Sequence, residues 1–322
     1  MKEMPKVSVI VATYNHENYI AQTLESIVRQ KCDFTFEAIV GDDASKDGTA
    51  KIVAEYAAKY PDIIKPVLRK KNLGAFRNNS DLFKRAKGEY IAMLEGDDYW
   101  IRDDKLSAQV AFLESHPDYV AHFGRCMVVD KNGERNPDAE SYLPTFSGGE
   151  YTAAEFNEYL LPGQTATVMY RHKTLNDLMM LLKSDSKSRP RLPVIDRFLV
   201  LGALHFGRIY TDSEKLAAYR FVLDSGSGSW SSKNNGYTFR NLFLFLFGLH
   251  EFERIGRHLG LDIDFDKRRR FEYRKLSSEK DSFPKRYVPF VKMLILLWYR
   301  DKKQFPRIFR KKVRKRIRRM FS

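Results

Sequence analysis

Cysteine is scarce in this 322-residue chain: Cys32 and Cys126 stand far apart, and no CxxC pair occurs. A disulfide framework and a cysteine-based zinc site are therefore excluded, and a reducing, cytoplasmic setting is expected. Long apolar runs are missing too. VPFVKMLILLWY (288–299) is only twelve residues long and contains Lys292, whereas a helix needs about 20 apolar residues to cross a bilayer. The start, MKEMPKVSVIVATYN, lacks a basic segment followed by an apolar stretch and a cleavage site, so no secretion signal is expected. There is no internal repeat, and low complexity is confined to GSGS at 226–229. His16, His122 and His205 share no metal-ligand spacing, which predicts surface or core roles for them.

Acidic residues are nearly absent from one end. Residues 301–322 hold eleven Lys/Arg against one Asp, so that of the formal +15 only about +5 belongs to the other 300 residues. A chain-wide nucleic-acid footprint is not expected from such a distribution. With 43% hydrophobic and 13% aromatic residues, the chain can fill one large domain or two ordinary ones.

Two periodicities alternate over the first hundred residues. Apolar, β-rich runs at 7–12, 36–40, 63–68 and 89–94 are separated by helical spacing, as in Ile20, Leu24, Ile27 and Val28. This β-α-β order predicts a mostly parallel sheet with helices on both faces and ligands beyond the carboxyl ends of the strands. Polar clusters fall there: TYN (13–15), GDDASKDGT (41–49), RKKNLG (69–74) and EGDDYW (95–100). Asp103 or Asp104 is placed to cap a helix over KLSAQVAFLESH. From 118 to 222 the pattern is mixed, SGSGSWSSKNNG reads as a flexible loop, and the remainder is helical.

The stretch EGDDYW sets Glu95, Asp97 and Asp98 directly after a buried run. Crowded carboxylates that lose hydration call for a cation. An all-oxygen set suits Mg²⁺ or Mn²⁺, whose shell is commonly completed by water and a diphosphate. Solvated loop acids or helix caps are the plainer alternative. GDDASKDGT starts like a calcium loop through Asp43, Ser45, Asp47 and Gly48, but the twelfth position is Ala54 and a strand precedes it. In the alternative, Asp42 accepts hydrogen bonds from a bound base while Ser45 to Thr49 turns the chain and caps the next helix.

Taken together, TYNHENYIAQTLESIVRQ, FEAIVGDDASKDGT and NLGAFRNNSDLFKRAKGEYIAMLEGDDYWIRDDKLSAQVAFLE resemble glycosyltransferase family 2, on the GT-A fold of nucleotide-diphospho-sugar transferases, strongly over 5–116 and weakly over 117–222. The resemblance implies a nucleotide-sugar half (1–116) and an acceptor half (117–224); composition and periodicity add a loop and helical extension (225–300) and a basic tail (301–322). It implies that Thr13, Asn15 and Asp42 line the nucleoside pocket and that Arg77 approaches the nucleotide. The family's DxD motif falls on Glu95, Gly96 and Asp97, which makes Asp97 the main metal ligand, with Asp98 or Glu95 beside it. The catalytic base of the family is similar in setting to Asp196, at the start of DRFLVLGAL; an N-cap is its plainer role. Tyr219 and Arg220 match the family's YRxH segment and Val222 stands at its His position, so Arg220 is a phosphate candidate and the third protein ligand is in doubt.

The expected function is that of a metal-dependent inverting transferase moving a sugar, UDP-linked before GDP- or dTDP-linked, to a carbohydrate or lipid-linked hydroxyl. The alternatives are a nucleotidyltransferase, or a non-catalytic protein binding nucleic acid or membrane. In FPRIFRKKVRKRIRRMF the apolar Phe305, Ile308, Phe309, Val313, Ile317 and Phe321 recur at helical spacing among basic residues. That pattern predicts a helix lying on an anionic membrane surface, placing the protein at the inner face of the cell membrane.

Overall fold

A computed structural model describes residues 4–141, 143–185, 196–222 and 239–278. The expected loop at 225–236, the apolar block at 288–299 and the basic tail lie outside the described residues. In chain order the strands are β1 (Val7–Thr13), β2 (Phe36–Asp42), β3 (Ile64–Leu68), β4 (Tyr90–Glu95), β5 (Tyr99–Trp100), β6 (Tyr119–Val129), β7 (Gly149–Tyr151), β8 (Met169–Arg171) and β9 (Arg208–Arg220). The helices are α1 (Ile20–Val28), α2 (Thr49–Lys59), α3 (Ala75–Arg85), α4 (Lys105–Ser115), α5 (Pro137–Ser141), α6 (Ala153–Asn157), α7 (His172–Ser184), α8 (Asp196–Phe206), α9 (Phe239–His258) and α10 (Asp266–Ser278).

The strands form one sheet in the order β3-β2-β1-β4-β8-β6-β9-β5, with β7 paired to β9. β3, β2, β1 and β4 run parallel, while β8 lies antiparallel between β4 and β6. This is a mixed, mostly parallel α/β sheet flanked by helices, as the sequence pattern predicts.

Alternation along β1 explains the two layers. Val7, Val9 and Val11 join one core with Ile20, Leu24, Ile27, Val53, Leu106 and Leu113, which lie on or beside α1, α2 and α4. Ile10 points the other way, into a core with Ile39, Ile91, Leu82, Leu178, Phe198 and Leu201 under α3, α7 and α8. Burying each such side chain contributes about 1.5–3 kcal/mol. A parallel strand covered on both faces is apolar at most positions, as β1 is in VSVIVAT, where the buried Ser8 hydroxyl is satisfied by donating to Glu37 at 2.8 Å. Close packing of α3 on β2 depends on Gly41, where a Cβ would overlap Leu82 and Asn78.

Two local expectations change. Asp104 occupies the cap position of α4 without a side-chain cap bond, because its carboxylate takes the Arg102 guanidinium at 2.7 and 2.8 Å. Within the mixed segment 118–222, residues 208–220 form a long strand, β9, whose polar RIYTDSEK half hides the pairing it makes with β6.

Candidate functional site

The carboxyl ends of β1, β2 and β4 are in register: Thr13 pairs with Asp42, and Ala12 with Glu95. Side chains from three distant segments thus meet at one edge of the sheet. The loop after β1 is clamped to the loop after β2. Asn15, at φ 57°, donates its N–H to Ser45 Oγ at 2.8 Å and accepts from the Lys46 N–H through Oδ1 at 2.9 Å. The His16 N–H donates to Thr49 Oγ1 at 2.8 Å, and the Glu17 N–H to Asp47 at 3.2 Å. Hydrogen bonds from the Thr49 backbone N–H and hydroxyl let Asp47 order the start of α2.

Asp42 is buried, and both its oxygens engage Ser45, one from the backbone N–H at 3.1 Å and one from the hydroxyl. Its neighbour Asp43, equally buried, accepts the N–H groups of Leu73 and Gly74 at 2.7 and 2.8 Å and so shapes the turn before α3. Arg77 lies exposed in the first turns of α3, and its side chain makes no hydrogen bond or ion pair among the described residues. It is not brought against the acidic loop by any bond.

That loop hangs on α1. Thr23 Oγ1 donates to the carbonyls of Gly96 and Asp98, Ser26 Oγ accepts the Trp100 N–H, and Gln30 Nε2 donates to the Arg102 carbonyl at 2.7 Å. Thr23 and Ser26 share one face of α1, and Gln30 follows just past its end, so that the helix and its exit together carry the loop.

Glu95, Asp97 and Asp98 bring their ligand oxygens within 4.8 Å of one another. Asp98 is 1% exposed; Oδ1 accepts the Arg220 N–H at 2.8 Å, while Oδ2 is buried with no hydrogen-bond partner. Burial, then the charges of Asp97 and Glu95, hold its carboxyl well above the ordinary range. Glu95 is exposed at the edge of the sheet; desolvation among the crowded acids, then Asp97 and Asp196, push its carboxyl up to about 8. A buried carboxylate oxygen without a donor and two crowded acids fit a hard divalent ion.

Asp196 opens α8 with its side chain exposed and Oδ1 accepting the Arg197 N–H at 2.7 Å. Its charge adds to the push on the Glu95 carboxyl, after desolvation and Asp97. Tyr219 lies beside the same acids: burial, then Asp98, Glu95 and Asp97, raise its phenol.

Arg220 is 3% exposed and its guanidinium is taken up by protein. Nε donates to the Asp97 carbonyl at 2.9 Å, Nη1 to the carbonyls of Asp130 and Lys131, and Nη2 to Gln22 Oε1 at 2.8 Å, with the Tyr19 ring 4.4 Å away. This geometry makes it a tie between loops. Val222 is buried and apolar, with no ligand atom to offer. One functional neighbour was missed by sequence spacing: the His16 ring, with Nε2 at 3.7 Å from Asp97 Oδ2.

The sequence pattern described as Glycosyl transferase family 2 matches residues 8–177. The chain is similar to EpsE of Bacillus subtilis, at 41% identity over 135 residues, covering 42% of this chain and 48% of EpsE. Against the mycobacterial and Bacillus relatives it spans between 38% and 48% of their length. Among solved structures it is similar to Staphylococcus aureus TarS 1–349 in complex with UDP-GlcNAc, with a TM-score of 0.58, 22% identity and coverage of 91% of this chain and 79% of that one. It is also similar to the mannosyltransferase PcManGT from Pyrobaculum calidifontis in complex with GDP-Man and Mn²⁺, with a TM-score of 0.55, 16% identity and coverage of 97% and 84%.

Proposed function

The chain belongs to glycosyltransferase family 2, and from that premise we propose that it moves a sugar from a nucleotide-diphosphate donor to a hydroxyl acceptor, with Mg²⁺ or Mn²⁺ and inversion at the anomeric carbon. The carrying observation is the buried, partnerless Oδ2 of Asp98 within the Glu95–Asp97–Asp98 group. Asp97 and Asp98 would hold the ion, with Glu95 beside them. A bound divalent ion supplies positive charge against the departing diphosphate.

The remaining roles fall to the chain itself. Thr13, Asn15 and Asp42 line the nucleoside pocket; since Asp42 already binds Ser45, its reading of the base uses lone pairs left over from that turn. Asp43 fixes the turn that presents Arg77. Asp196 takes the proton of the acceptor hydroxyl as it attacks, and Arg220 keeps the acidic loop in register instead of binding phosphate. Residues 1–116 form the donor half and 117–224 the acceptor half.

A UDP-linked donor is supported by TarS, solved with UDP-GlcNAc. An acceptor in cell-surface polysaccharide or glycolipid synthesis is supported by the name of TarS, a poly(ribitol-phosphate) β-N-acetylglucosaminyltransferase. No helix among the described residues is long and apolar enough to cross a membrane. The basic amphipathic pattern of residues 301–322 supports attachment to an anionic surface. Equal flotation with acidic liposomes after removal of those residues would refute it.

To test the reaction, nucleoside diphosphate release from UDP- and GDP-sugars is followed with Mn²⁺ and with EDTA. Release that stops on chelation supports the reading, and release indifferent to chelation overturns it.

A further inference from the structure

We propose that His16 is a positioning residue for the cation site, a hydrogen-bond donor that holds the Asp97 carboxylate in place. The inference rests on the reading of residues 95–98 as a cation site and adds to it a residue from the loop after the neighbouring strand β1.

Three observations carry it. His16 Nε2 lies 3.7 Å from Asp97 Oδ2, and the two side chains are only 11% and 14% exposed. That gap exceeds a hydrogen bond, but a shift of under about 1 Å closes it. Among the described residues no other cation pairs with the Asp97 carboxylate. The carboxylate repelled by Glu95 and Asp98 thus has one nitrogen to turn to.

The ring is held for this purpose. The His16 backbone N–H is fixed by Thr49 Oγ1 at 2.8 Å, and Nδ1 stands 3.3 Å from Thr13 Oγ1. A hydroxyl proton donated to Nδ1 leaves the hydrogen on Nε2, facing Asp97; the neutral ring suffices. Gly96 makes the approach sterically allowed, since a Cβ there would stand 2.9 Å from His16 Nδ1 and overlap Thr13. The glycine between the acids therefore admits the imidazole.

His16 is not itself one of the ligands. The compact set of ligand atoms is made by Glu95, Asp97 and Asp98 without it. Its effect is exerted through Asp97, as that of hydrogen-bond partners behind metal ligands commonly is.

The test is binding of Mn²⁺ alone to the full chain, measured from the electron paramagnetic resonance signal of free Mn²⁺, for the parent and for His16→Ala, His16→Gln and Asp97→Asn. Loss of the ring should weaken the Mn²⁺ Kd by about 10- to 100-fold. Glutamine, whose amide nitrogen reaches about as far as Nε2, should recover most of the affinity, and melting without Mn²⁺ should match the parent in both variants. Asp97→Asn should abolish binding. If His16→Ala binds Mn²⁺ like the parent while Asp97→Asn does not, the role of His16 is refuted and the cation site stands. A glutamine variant that folds like the parent yet binds as weakly as the alanine one also refutes a donor role. Absence of Mn²⁺ uptake by the parent removes the cation reading, and this inference with it.

Discussion

The backbone N–H of Arg220 donates to Asp98 Oδ1 at 2.8 Å across 122 positions of sequence, while the other oxygen of that carboxylate is buried without a partner. The bond pins the end of β9 to the loop after β4 and leaves one carboxylate oxygen turned into a crowd of negative charge. An arrangement of this kind is costly when empty and prepared for a cation.

Replacing Asp98 by Asn keeps an oxygen for the Arg220 N–H and removes the charge. Thermal denaturation without metal should show a melting temperature equal to or above that of the parent. Added Mn²⁺, which stabilises whatever state binds it, should raise the parent's melting temperature and leave the variant's unchanged. A parent-like rise in the variant would show that Asp98 is not needed to hold the ion.

Arg220→Lys replaces a planar fork with a single ammonium that cannot serve the Asp97, Asp130 and Lys131 carbonyls and Gln22 at once. Leaving these groups unpaired in a buried setting should lower the unfolding free energy in urea by about 2–4 kcal/mol. A phosphate-binding Arg220 would give another result, parent stability with a raised donor KM.

Asp196→Asn should leave donor affinity at the parent level and lower kcat by about 10²- to 10⁴-fold, the usual contribution of a positioned base. Transfer at the parent rate would remove Asp196 from the chemistry.

A pH effect on stability is expected from Lys105. Its side chain is fully buried over the Trp100 ring with Gln109 Oε1 at 2.7 Å, and burial pushes its ammonium down from 10.5 to about 7. Between those values the folded chain binds fewer protons than the unfolded one, so stability climbs as pH rises through the window and is lost as pH falls. Urea unfolding at pH 7 and pH 9.5 should differ by on the order of a few kcal/mol in the parent. Lys105→Met should lose most of that difference; an equal pH dependence in the variant would assign it elsewhere.

The parallel half of the sheet was legible because its central strands are covered on both faces, which writes short apolar runs such as VSVIVA and AIV into the sequence of β1 and β2. The acidic loop was legible from its place after such a run. β9 was not, since its first half alternates polar residues and is fixed by pairing with β6, some ninety positions earlier. Arg220 read as a phosphate ligand because sequence shows a cation and hides the four acceptors that surround it. His16 was set aside for want of a histidine partner at metal spacing; its partner is a carboxylate on another strand end. The one local trace of it is Gly96, whose missing Cβ makes room for the ring.

In the proposed reaction the carboxylates closing β4 grip a divalent ion, which in turn holds a sugar nucleotide. Isothermal titration of the purified chain with UDP- and GDP-sugars, with Mn²⁺ and again with EDTA, tests it most directly. One of these donors should bind far more tightly with Mn²⁺, and Asp97→Ala should abolish the difference. Donor binding that is the same in Mn²⁺ and in EDTA, or absent from both, would contradict it.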